Sequence, residues 1–263
     1  GLHEVPEHLA HEERVAVGVP LQHAGELADR RVQIVAAGPR EQVGDPGRVE
    51  PPERVVSRVA ALLAERLAMP VERVVAERKR AERALRDEAL AAGGDHECHY
   101  DEIVDRWIAG LQPGLPADRH AALVRFAEDR EFELERLALR AKPNARLFLE
   151  WAHGAGIRII AVSDMYLGKR HLRRLLDELG YQGMVDRIYV SSENRAAKYS
   201  GRLFKHVLEQ EALQPGELLH VGDNFHSDAL APGRLGITGV FLDERHERRR
   251  RRRQQTSSEL AGL

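Results

Sequence analysis

Val221-Gly222-Asp223-Asn224-Phe225-His226-Ser227-Asp228 is the stretch on which the fold turns. A short, largely apolar run over 217–221 halts at a glycine, and two carboxylates follow five positions apart, Asp223 and Asp228. Runs of this length bounded by turn formers read as buried strands, and the residues after the glycine read as a turn into a helix near 226–230. In sheets wound from strand, helix and strand, ligands sit beyond the carboxyl ends of the strands. A pair of hard carboxylates converging there suits Mg²⁺. Taken alone, Gly-Asp after a strand is more often a structural turn, so the functional reading needs partners elsewhere.

Two upstream strand ends supply them. Ile157-Arg158-Ile159-Ile160-Ala161-Val162 runs out into Ser163-Asp164-Met165-Tyr166, and Arg187-Ile188-Tyr189-Val190 runs out into Ser191-Ser192-Glu193, with Lys198 a few residues later. Helices expected over 144–153, 169–179 and 201–211 alternate with these strands, and a last strand is expected over 238–242. The alternation predicts an α/β fold with a parallel sheet. A phosphoryl-transfer site needs a nucleophile, a hydroxyl and amides for the phosphoryl oxygens, a cation, and carboxylates for a metal. Ser163 offers the hydroxyl, and Lys198, at a helix N-terminus, adds positive charge beside amides that already favour anions.

The organisation changes along the chain. Residues 1–50 are poorly legible, with a short helix near 22–29, one strand-like run, Val32-Gln33-Ile34-Val35-Ala36, as a candidate first core strand, and then turn formers. From 51 to 143 the apolar spacing predicts helices at 52–68, 70–92, 100–110 and 117–141, a small bundle resting on another layer. Residues 144–243 form the α/β core, and 244–263 an Arg-rich tail expected to be disordered.

A hydrophobic content of 43% over 263 residues is enough for a sizeable core, and a formal net charge of -2 argues against a general nucleic-acid binder. The arginine run 248–253 offers charge for a nucleic acid or an acidic membrane surface, but Asp243, Glu244 and Glu247 dilute it and it reads as solvated. Cys98 is the single cysteine, which excludes an internal disulfide. With no membrane-spanning run and no secretory signal, a cytoplasmic protein is expected, and a start at Gly1 with a polar end reads like a fragment. Asp95-His96-Glu97-Cys98-His99 lacks the usual metal-ligand spacing and reads as a solvated loop, while Trp107 and Trp151 read as packing residues of core or cap.

Val162-Ser163-Asp164-Met165-Tyr166, Lys198, and Gly222-Asp223 through Asp228 with Leu235-Gly236-Ile237 beyond resemble motifs two, three and four of the haloacid dehalogenase (HAD) superfamily, in order. The resemblance spans roughly 51–243 if 51–143 is the α-helical cap that such enzymes insert after motif one. It implies a HAD-like Rossmannoid parallel sheet with helices on both faces plus that cap, and Mg²⁺-dependent hydrolysis of a small phosphate ester through an aspartyl-phosphate. By the same resemblance Ser163 and Asp164 would hold the phosphoryl group, Lys198 would stabilise the aspartyl-phosphate, and Asp223 with Asp228 would serve Mg²⁺. Dehalogenase chemistry is less expected, because that branch does not need the metal pair. The chain looks most like HAD domains beside glycosyltransferases in bacterial surface-polysaccharide proteins, which implies a fused or adjacent glycosyltransferase as partner.

The family's first motif, which carries the aspartate nucleophile, should close the first strand between about 36 and 42. Ala36-Ala37-Gly38-Pro39-Arg40-Glu41-Gln42 stands there instead, and the nearest carboxylates, Glu41 and Asp45, have the wrong spacing, so the nucleophile is unknown. Without that carboxylate, covalent catalysis fails. Either the chain is a degenerate homologue that binds without turnover, or, the favoured expectation, residues before about Val49 were translated in the wrong frame or joined to an incorrect start. Codons for Asp45-Pro46-Gly47-Arg48 read one base later can spell Thr-Leu-Val, the motif's end, although that shift cannot place an aspartate directly before the threonine.

Overall fold

The computed structural model describes residues 52–139, 141 and 143–242. The candidate strand at 32–36, Glu41, Asp45 and the arginine run 248–253 lie outside the described residues.

Four helices come first: α1 (Pro52–Leu67), α2 (Val71–Ala91), α3 (Tyr100–Leu111) and α4 (Ala117–Ala138), close to the expected spans. Pro52 suits a first helical position, where the missing N–H costs nothing, and Pro70 marks the break between α1 and α2. His99 opens α3 by accepting the Asp101 N–H at its Nδ1 (3.3 Å). Neighbouring helices pack in a closed ring, α1 on α2, α2 on α3, α3 on α4 and α4 on α1. Val59, Leu63, Val74, Trp107 and Ile108 are sealed inside it, each aliphatic side chain contributing about 1.5–3 kcal/mol of burial. Trp107 is core, as expected, and its Nε1 donates to the Val74 carbonyl (2.8 Å). Trp151 differs from expectation: it lies 41% exposed, with its ring stacked on Phe148, so it is a surface residue.

After α5 (Pro143–Gly154) the strands begin: β1 (Ile160–Ser163), β2 (Arg187–Val190), β3 (Leu219–Gly222) and β4 (Thr238–Phe241), with α6 (Lys169–Leu176), α7 (Ser191–Asn194) and α8 (Arg202–Glu211) between β1 and β3. β1 pairs in parallel with β2, and β3 in parallel with β4, forming two separate ladders among the described residues. Parallel neighbours need a crossover, supplied by α6 for the first pair and by the helical turns over 225–233 for the second. β1 starts later than the apolar run suggests, because Asp186 closes the head of the ladder: its side chain accepts the Ile159 N–H (2.8 Å) and its own N–H donates to the Ile159 carbonyl (2.9 Å).

Every position of β1 and β3 is buried, the pattern of strands covered on both faces. Alternation along β1 sends Ala161 into one cluster and Ile160 with Val162 into another. The first cluster also holds Trp107, Phe132, Leu172, Val190 and Val221, so the helical ring and this face of the strands share a core. The second adds Leu203, Phe204 and Val207 of α8. Among the described residues no helix is long and apolar enough to cross a membrane.

Candidate functional site

Lys198 stands in the turn joining α7 to α8, between two left-handed residues, Arg195 (φ 47°) and Gly201 (φ 79°). Glycine adopts that conformation freely, whereas arginine does so at a steric cost, so the shape of this turn has to be held from outside. Two carboxylates that follow different strands engage Lys198. Its backbone N–H donates to Asp164 Oδ1 (2.9 Å), just beyond β1, and its buried Nζ donates to Asp228 Oδ1 (2.6 Å), in the turn after β3.

Asp228 is fully buried and its acceptor capacity is heavily used. Oδ1 also meets His220 Nε2 (2.8 Å), and Oδ2 accepts the Asn224 N–H (2.9 Å). Two local features allow this. Gly222 has no Cβ, and one built there would overlap the Asp228 carboxylate. Asn224 opens the following helical turn by accepting the His226 and Ser227 amides at its side-chain oxygen (3.1 and 3.0 Å), which swings Asp228 back over the strand end.

The charges follow from these contacts. Burial pushes Asp228 towards the neutral form, but the His220 hydrogen bond and the Lys198 ammonium win and hold it far below the usual carboxylate range. Burial pushes His220 down, with the Asp228 hydrogen bond opposing, so its ring is neutral at pH 7. An ionised Asp228 has no proton to give, which makes Nε2 the protonated nitrogen and leaves Nδ1 buried without a hydrogen-bond partner. Asp164 is raised by burial, against the pull of the Lys198 charge and N–H.

Ser163 is the last residue of β1, buried and in register with Val190. Asp223 is half-buried immediately after β3, between Gly222 and Asn224, whose backbones both border the Asp228 carboxylate. Asp164, Lys198 and Asp228 are therefore in direct contact, and Ser163 and Asp223 flank them along the chain. Among the described residues no group of three or more His, Cys, Asp or Glu side chains is placed to hold a metal ion.

The family model of the haloacid dehalogenase-like hydrolases matches residues 51–236. The chain belongs to this family. Its fold resembles that of a 2-haloacid dehalogenase from Pseudomonas syringae pv. Tomato DC3000, with a TM-score of 0.56 and 16% identity, covering 81% of this chain and 86% of that one. The HAD-hydrolase YfnB from Bacillus subtilis, bound to magnesium, matches with a TM-score of 0.47 and 16% identity over 80% of this chain and 88% of its own. A predicted phosphoglycolate phosphatase from Haemophilus somnus 129pt matches with a TM-score of 0.46 and 15% identity over 80% and 84%. No curated protein matches the chain.

Two residues of this haloacid dehalogenase-like hydrolase escape a reading of its sequence. His220 lies inside an apolar strand, where nothing marks it as more than a core residue, yet it touches Asp228. Asp95 falls in the run expected to be a solvated loop. That expectation is corrected: Asp95 and Cys98 are buried, because the loop packs on the turn that carries Lys198 and the Asp95 side chain finds its donors there. Burial also raises the Cys98 thiol, to about 11, which leaves it protonated and unreactive at neutral pH.

Proposed function

We propose that the site serves Mg²⁺-dependent hydrolysis of a small phosphate ester. The observation that carries this is the charge inventory around Lys198. Its ammonium is already paired with an ionised, buried Asp228, His220 is neutral, and Asp164 and Asp223 add further carboxylates. A phosphate dianion entering such a place meets more negative than positive charge, and a hard divalent cation corrects the balance. Asp223, half-buried at the strand end, is the ligand we assign to that ion. Asp228 fits the role less well, since both its oxygens already accept hydrogen bonds, and we read it as the residue that holds Lys198. Bound Mg²⁺ would polarise the phosphoryl oxygens. The Ser163 hydroxyl and the Lys198 ammonium would orient the phosphoryl group for attack by a nucleophile that the sequence does not identify.

A second reading is a module that binds a phosphorylated ligand without turnover, favoured by the lack of any aspartate between Ala36 and Gln42. Hydrolysis of p-nitrophenyl phosphate with Mg²⁺ and with EDTA separates the two. Turnover that needs Mg²⁺ and disappears in Asp223→Asn supports the hydrolase. Absence of turnover, with inorganic phosphate still shifting the ³¹P resonance, overturns it in favour of the module.

A further inference from the structure

The loop between α2 and α3 does more than join two helices. Asp95 Oδ2 accepts the Ala197 N–H (2.7 Å) and the Ser200 hydroxyl (2.5 Å), and Oδ1 lies 3.6 Å from Arg202 Nε. The Asp95 N–H donates in return to the Arg195 carbonyl (2.9 Å). Arg202 reaches the Gly93 carbonyl, and Arg195 makes a forked ion pair with Glu102 of α3 (2.9 and 3.0 Å). Gly94 permits the approach, since a Cβ there would lie 3.1 Å from the carbonyl oxygens of Ala89 and Arg195. The helical ring therefore grips both ends of the 195–202 turn.

We propose that Asp95 is a positioning residue for Lys198, setting from the helical ring the turn that presents the ammonium to the site. The logic lies in two consecutive amides. Ala197 N–H is held by Asp95 and Lys198 N–H by Asp164, so the two peptide planes flanking Ala197 are each fixed by a carboxylate. A turn with a left-handed arginine at its head will not keep that geometry unaided. Charge-assisted bonds to a buried carboxylate are the strong kind, and the same carboxylate also takes the Ser200 hydroxyl. Docking of the loop and alignment of the Lys198 backbone are then one event, and displacing the loop would loosen the turn from which the ammonium reaches Asp228. This rests on Lys198 being the group that meets the phosphoryl oxygens.

The test uses the full chain and does not need turnover. Amide hydrogen exchange at Ala197 and Lys198, together with the side-chain ¹⁵Nζ resonance of Lys198, is compared in wild type, Asp95→Ala and Asp95→Asn. Losing a charge-assisted bond is expected to speed exchange at both amides by about 10-fold to 100-fold in Asp95→Ala and to move the Lys198 resonance, with the exposed Lys205 as an unshifted reference. Asp95→Asn keeps one acceptor and should lie between the two, and it decides the matter if Asp95→Ala does not fold. Unchanged amides and an unchanged Lys198 resonance in the folded variant overturn the proposal. Where wild type hydrolyses an aryl phosphate, kcat should fall with KM nearly constant, and a rise in KM alone also overturns it. A wild type without turnover removes the hydrolase reading and leaves the exchange result standing.

Discussion

The Lys198 ammonium lies 2.6 Å from Asp228, and both side chains are almost sealed from solvent. Separated by thirty positions, they join the turn before α8 to the turn after β3. Removing one partner strands the other charge in a poorly solvated place, which typically costs about 3–5 kcal/mol. Lys198→Met and Asp228→Asn are each expected to lose stability on that scale, and the double variant to lose clearly less than the sum. Urea denaturation of all four proteins checks this, and additive losses would show that the ion pair is not coupled.

Gly222→Ala is expected to cost about 1–3 kcal/mol, because the new methyl would overlap the Asp228 carboxylate and force it away from Lys198. In an Asp228→Gly background the atoms that methyl would meet first, the Asp228 carboxylate and its Cβ (2.6 Å), are gone. The cost should therefore shrink there, and an undiminished cost would place the strain elsewhere.

His171 is buried against Tyr100 and Phe132, and burial lowers its pKa to about 4, helped by Arg170. An unfolded histidine titrates near 6.5, so between those values the unfolded chain takes up a proton that the folded chain refuses. Stability from this group is complete above about pH 6.5 and falls as pH drops towards 4, by no more than about 3 kcal/mol. The urea midpoint of His171→Phe should fall less steeply over that range than that of wild type, and parallel slopes would contradict the assignment.

Arg78 and Glu131 form a second sealed ion pair (3.1 Å), inside the helical ring, and Tyr100 donates its hydroxyl to the same glutamate (3.1 Å). Nε and Nη1 of Arg78 lack hydrogen-bond partners, and its guanidinium stands over the rings of Trp107 and Tyr100 (5.3 and 5.9 Å). Arg78→Met should cost about 3–5 kcal/mol. Arg78→Lys should recover only part of that, because an ammonium lacks the flat face that lies on the aromatics. Thermal unfolding of the two variants decides it, and equal stability of Arg78→Lys and wild type would mean that only the charge matters.

Period and punctuation made most of the fold legible in advance. Helical spacing placed α1 to α4 within a few residues, and short β-branched runs ending in polar clusters placed the parallel strands and the residues at their ends. Local chemistry sufficed there, since side-chain period and turn formers act over a few residues. The expected run 187–190 coincides with β2, whereas β1 begins at Ile160 rather than at 157, because the side chain of Asp186, 27 positions away, takes up the Ile159 amide. No local pattern announces such a contact.

The site divides along the same line. Ser163, Asp164, Lys198, Asp223 and Asp228 stand out by residue type at strand ends, which is information a linear sequence carries. Which of them touch, and which other residues hold them, depends on contacts between segments far apart in the chain. Only the folded molecule commits both Asp228 oxygens to hydrogen bonds, makes a neutral donor of His220, and turns Asp95 from an apparent loop residue into a buried acceptor for the turn around Lys198. Burial and charge pairing decide those roles, and both are properties of three-dimensional neighbours.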